Sequence, residues 1–176
     1  MPLTSSGLEV ALCTLMNLLT ITIFIGLFAT AVTDLWAIVR TRLLGIPLPD
    51  FGLVGRWIAH FSRGRFRHER IAAAAPIPGE RLIGWTAHYL IGISFAALVP
   101  ALWGAKWLEQ PTLAPALLVG IATVAAPFLL MQPGMGAGFA ASRTQRPAVA
   151  RFHSVITHTI FGLGLYAAAS ITRRFT

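Results

Sequence analysis

Four stretches of this chain are apolar enough and long enough to cross a bilayer, which takes about 20 residues of helix. The first runs from Val10 to Val39, interrupted only by Asn17, several threonines and Asp34. The second runs from Leu82 to Trp103, with His88 and Tyr89 as its only ionisable groups. The third, Leu113 to Met131, contains Pro115 and Pro127, and the fourth, Phe152 to Ile171, contains His153 and His158. Proline is tolerated in lipid because neighbouring helices satisfy the carbonyls it frees, so a kink is expected in the third stretch. The expected fold is all-α, an integral membrane four-helix bundle forming a single domain over residues 1–176.

Composition agrees. Of 176 residues, 56 % are hydrophobic and 11 % charged, whereas a soluble domain carries about 25 % charged residues. That leaves too little polar surface to cover a water-facing globule, and it excludes disordered, collagen-like and disulfide-rich classes. The single cysteine, Cys13, has no intrachain disulfide partner and no second thiol for a Cys-based metal site. The first stretch is read as a retained span rather than a cleaved leader, because only Glu9 is charged ahead of it and its apolar run is about twice the usual length. It is also longer than the bilayer core, so it should tilt or protrude.

Charge sets the expected orientation. Arg40, Arg42, Arg56, Arg63, Arg65, Arg67, Arg70 and Arg81 lie between the first two spans, and Arg143, Arg146 and Arg151 between the last two. With both termini periplasmic, eleven of the 14 basic residues face the cytoplasm of a bacterial inner membrane and only Lys106, Arg173 and Arg174 do not. All five tryptophans fall near the expected boundaries, where indole rings prefer to sit.

The first cytoplasmic connection carries a pattern of its own. Leu53, Val54, Trp57, Ile58 and Phe61 fall on one helical face. This predicts an interfacial amphipathic helix over residues 52–61, with Arg56 and His60 toward the other side. Arg56, Arg63, Arg65 and Arg67 are expected to contact anionic lipid headgroups, each contributing about 1 kcal/mol. His60 and His68 are expected to be solvated within this basic stretch. A pI near 11.5 raises the possibility of nucleic-acid binding, but orientation accounts for the charge and no nucleic-acid motif is present.

The sharpest functional signal is a layer of ionisable groups inside the bilayer. Asp34 lies six residues before Arg40, His88 seven after Arg81 and His158 seven after Arg151. Each is therefore about 9–10 Å inside the basic boundary, and Gln132 joins them if the third helix continues that far. Polar groups at such depth face the bundle interior and find partners, so the three are expected within side-chain or one-water reach. The first reading is a proton, ion or small-ligand site of a transporter or channel. Because four helices enclose little volume, such a path suggests a homodimer. A second reading is a b-type haem held by His88 and His158, since His–x3–Gly recurs as His88/Gly92 and His158/Gly162 at an offset of 70 residues, each preceded by an arginine. A third is a structural clamp with no ligand. Catalytic motifs of soluble enzymes are absent, and Gly134, Gly136 and Gly138 lack the strand and spacing of a dinucleotide fingerprint.

Three runs carry a family resemblance: VGRWIAHFSRGRFRHERIAAAAPIPGERLIGWTAHYLIGISFA, MQPGMGAGFAASRTQ and THTIFGLGLY. Together they make the chain, from about Asp34 to Tyr166, similar to a family of small proteobacterial membrane proteins catalogued as a domain of unknown function. The resemblance implies a four-helix inner-membrane protein and assigns no site residue.

Overall fold

The structure is a computed structural model that describes residues 5–174. Its helices are α1 (Ser5–Leu44), α2 (Phe51–Ala59), α3 (Glu80–Trp103), α4 (Lys106–Glu109), α5 (Leu113–Ala122), α6 (Gln132–Met135) and α7 (Pro147–Thr172). Four helical stretches are long and apolar enough to cross a membrane: Gly7–Leu44, Glu80–Trp103, Leu113–Met135 and Pro147–Thr172. No strand occurs among the described residues. The protein is an all-α, multi-pass membrane bundle.

At about 1.5 Å per residue, the 40 residues of α1 are twice as long as the bilayer core is thick. Leu8 through Asn17 stay exposed, and burial begins in earnest at Thr22, Ile25, Ala29 and Thr30. The N-terminal part of the helix protrudes and the second half is the bundle's central post.

Small residues set the packing. α3 crosses α1 where Gly92 lies against Thr30, and a methyl group at Gly92 would overlap the Thr30 hydroxyl. α7 crosses α5 where Gly162 meets the Ala116 carbonyl, and a Cβ there would come within 2.8 Å of it. Gly164 packs on Ala29, bringing α7 onto α1 as well. In membranes such contacts replace the hydrophobic drive that water supplies elsewhere. The two His–x3–Gly runs are thus equivalent. Each lays its glycine on the span that precedes it in the chain.

The third span is broken as well as kinked. α5 ends at Ala122, a five-residue π-helix runs from Pro127 to Met131, and α6 completes the crossing. Pro127 has no N–H to offer and its ring opposes a straight α-helix. At the break, Val124 N–H turns to the Ile121 carbonyl at 3.1 Å, leaving the Gly120 carbonyl without its usual main-chain donor.

The amphipathic segment forms as α2 and a 3-10 turn over His60–Arg63, with Asp50 as N-cap accepting from Gly52 N–H at 2.9 Å. It does not simply lie on a lipid surface. Gly55 and Gly84 bring α2 and α3 into backbone contact, so that a Cβ on either would overlap the other helix.

Candidate functional site

Asp34 and His88 meet at the α1–α3 crossing. His88 Nε2–H donates to Asp34 Oδ1 at 3.0 Å, and the Tyr89 hydroxyl donates to Asp34 Oδ2 at 2.8 Å. Both carboxylate oxygens therefore have a donor, as a carboxylate at this depth requires. Side-chain exposures of 22 % for His88 and 20 % for Asp34 leave the pair accessible from one side. Phe51, the first residue of α2, stacks on the His88 ring with centroids 4.1 Å apart and planes at 28°. The pair can hold one proton in either of two arrangements, as imidazolium–carboxylate or as imidazole–carboxylic acid.

His158 is placed by the broken helix. Thr123 Oγ–H donates to the orphaned Gly120 carbonyl at 2.6 Å. His158 Nδ1 lies 3.0 Å from Thr123 Oγ1 and 3.3 Å from the Gly120 oxygen. His158 thus makes no direct hydrogen bond to Asp34 or His88, because its Nδ1 is taken by Gly120 and Thr123 at the end of α5. The Gly120 carbonyl, which has lost its main-chain donor, and the Thr123 hydroxyl that answers it hold the ring there.

A single cavity of about 790 Å³ nevertheless connects the layer. Asp34, His88, His158 and Gln132 all line it, and so do His153 and Arg40. The rest of the wall is mostly carbon, supplied by residues such as Phe95, Leu130 and Phe161. Of the residues that matter here, sequence reasoning missed Tyr89 and Phe51 and passed over His153 and Arg40. Tyr89 had a signal, since it adjoins His88 on the same turn and can reach the same carboxylate. Phe51 had none, because it is 37 residues away in the chain and enters through the fold of α2.

The family model described as "Protein of unknown function (DUF2938)" matches residues 23–172, a stretch that contains every one of these side chains. The chain belongs to that family. No curated protein and no solved structure matches it.

In this DUF2938 chain, three expectations for the basic connection need correction. Arg56 is not a headgroup contact. It is 8 % exposed and forms a two-pronged ion pair with Glu80, Nε to Oε2 and Nη2 to Oε1, each at 2.8 Å. Its Nη1 donates to the Ala74 carbonyl at 2.9 Å, and Glu80 also accepts from Ile77 N–H at 2.9 Å. The hydrogen bond to Glu80 raises the Arg56 pKa above its ordinary value against the opposing effect of burial.

His60 is not solvated either, and His68 is half-buried against it. His60 is 3 % exposed, and its Nδ1 lies 3.1 Å from His68 Nε2. Burial first, then the neighbouring His68, Arg63 and Arg65, lowers the His60 pKa. Once glycines bury the face of α2 opposite its apolar stripe, the polar side chains there must pair with each other. Arg63, Arg65 and Arg67, beyond α2, are exposed.

The Gly134–Gly138 run receives this connection. His68 N–H donates to the Gly134 carbonyl at 2.9 Å, and Trp57, lying against Gly134, donates its indole N–H to the Phe66 carbonyl at 2.9 Å. Gly136 has φ +95° and lies against the Glu69 carbonyl, where a side chain would not fit.

Proposed function

We propose that this protein is a small proton-coupled membrane transporter in which Asp34 and His88 exchange the coupled proton and the cavity beside them receives the solute. The observation that carries this reading is the location of the pair. A carboxylate–imidazole pair with one accessible side lies on the wall of a cavity large enough for an organic molecule. Cavities of about 300–1,000 Å³ with mostly apolar walls and a few convergent polar groups are the usual form of small-molecule sites. Intramembrane Asp/His groups are recurrent parts of proton relays. His158 and Gln132 line the same cavity.

The basic loops support placement in a bacterial inner membrane with both termini periplasmic. Arg63, Arg65 and Arg67 are then positioned for anionic headgroups of the cytoplasmic leaflet. The residues of one chain line the cavity, which is open on one side. The protruding apolar half of α1 is the surface on which a second copy would pack.

The haem reading has less support. His88 Nε2, the nitrogen most exposed for ligation on such a ring, is bonded to Asp34, and the glycines that would admit a macrocycle are filled by the neighbouring helices.

The test is proton uptake into pyranine-loaded vesicles of phosphatidylethanolamine and phosphatidylglycerol under a potassium diffusion potential. Uptake should depend on the protein and disappear in Asp34→Asn. Uptake no faster than in empty vesicles, or unchanged in Asp34→Asn, would overturn the reading.

A further inference from the structure

Three residues that line the cavity each carry a polar atom without a partner among the described residues. Arg40 Nε, Gln132 Oε1 and His153 Nδ1 are shielded from solvent, and none of them hydrogen-bonds within the described chain. All three residues line the one cavity. They come from three different spans and lie at its basic end: Arg40 one turn before the end of α1, Gln132 at the start of α6, His153 in the second turn of α7. Buried polar groups in native proteins are normally satisfied, so three such residues gathered at one end of a cavity point to a polar occupant there, which small side-chain rotations would let them reach.

The chemistry of the three defines the ligand's polar end. Arg40 carries a permanent positive charge and only donors. No carboxylate answers it, since the ion pairs among the described residues are Arg56–Glu80 and Asp34–His88. Asp34 itself has both oxygens occupied by His88 and Tyr89. An anionic head suits this end. It would be bidentate on the guanidinium and would accept from His153, while Gln132 Oε1, an acceptor, would take the hydrogen bond of a protonated head oxygen. Arg146 lines the same mouth and adds to the field.

Deeper in, the wall is apolar. Ile91, Phe95, Leu130 and Phe161 line it, and Ile91 and Leu130 stay 45 % and 68 % exposed on the outer surface of the bundle. A hydrocarbon chain is matched to that surface and reaches it from the bilayer.

We infer that the cavity binds a single-chain amphiphile with an anionic head, the head held by Arg40, Gln132 and His153 and the chain lying along Phe95, Leu130 and Phe161. This deepens the transport reading by naming its solute class, and it rests on that reading for movement of the solute but not for binding.

The experiment is calorimetric titration of the full-length protein in a non-ionic detergent with dodecyl phosphate, dodecyltrimethylammonium and inorganic phosphate. Dodecyl phosphate should bind saturably at one site, at least tenfold tighter than either the cationic amphiphile or the tailless anion. Arg40→Met should weaken it at least tenfold, and Arg40→Lys, which keeps the charge, should recover part of the loss. Ala126→Trp fills the apolar part of the cavity while leaving Arg40 in place, and it should weaken binding as much, so the result does not depend on one variant folding. Equal affinity for the cationic amphiphile, inorganic phosphate binding as tightly as dodecyl phosphate, or an unchanged affinity in both Arg40→Met and Ala126→Trp would overturn the inference. Binding without proton uptake removes the transport reading and leaves this site. Proton uptake without binding removes this site and leaves transport.

Discussion

Phe51 covers one face of the His88 ring at a centroid distance of 4.1 Å, so the helix that closes the basic end of the bundle rests directly on the intramembrane pair. The imidazole is held edge-on by Asp34 and face-on by Phe51, which fixes its orientation in the cavity wall. Aromatic stacking of this kind contributes about 0.5–1.5 kcal/mol beyond area burial. Phe51→Leu should destabilise the protein by about that amount in mixed-micelle unfolding. A stability equal to wild type would mean that α2 is held without this contact.

Tyr89 is the second donor to Asp34, and its hydroxyl can be removed without changing the ring. Interhelical hydrogen bonds in membrane proteins average about 0.6 kcal/mol and reach about 1.7. Tyr89→Phe should fall in that range in the same unfolding assay, and the loss should vanish when Asp34 is already Ala, which removes the acceptor. An equal loss in both backgrounds would place the hydroxyl's effect elsewhere.

At the α5–α7 crossing, Gly120 and Gly162 leave no room for side chains, with a Cβ on Gly120 only 2.6 Å from the Gly162 Cα. Gly162→Ala should therefore cost about 1–3 kcal/mol through overpacking. Gly64→Ala meets no atom within 4 Å, and any cost there arises from its φ of +69° alone. Comparing the two variants by thermal unfolding separates helix packing from backbone conformation. Equal effects would mean that the crossing is looser than described.

The docked basic connection should loosen in acid. Burial and nearby cations lower the His60 pKa in the folded protein, so the unfolded chain binds more protons as pH falls below about 6.5. The contribution of neutral His60 is present above that pH and lost as pH falls toward the lowered folded value. Trypsin cleavage at Arg63, Arg65 and Arg67 should accelerate from pH 7.5 to pH 5.5 after correction for the enzyme's own profile, and His60→Gln should flatten the trend. Arg56→Met should accelerate cleavage at every pH, because it removes both prongs of the Glu80 pair. A pH profile unchanged by His60→Gln would sink the assignment.

Much of this architecture was legible in the chain. Length and apolarity mark the spans, and the spacing of Asp34, His88 and His158 from the nearest arginine singles out three residues that line one cavity. What was not legible depended on contacts between distant segments. The apolar stripe of α2 shows which face avoids water, but the opposite face was assumed solvated. Gly52, Gly55 and Gly84 bury it against α3, where Arg56 meets Glu80, 24 residues away. The role of His158 follows from the carbonyl that the break at Thr123 exposes. A proline in the sequence foretells a kink, but not which side chain will answer it.

The most direct measurement is an infrared pH titration of Asp34 in the reconstituted protein. A carboxylic-acid band should appear on acidification, be absent in Asp34→Asn, and shift in both Tyr89→Phe and His88→Ala, because both donors hold the same carboxylate. Its amplitude should follow external pH within the mixing time, as the partial exposure of the pair requires. A band that is insensitive to both donor variants, or an Asp34 that never titrates, would contradict the account.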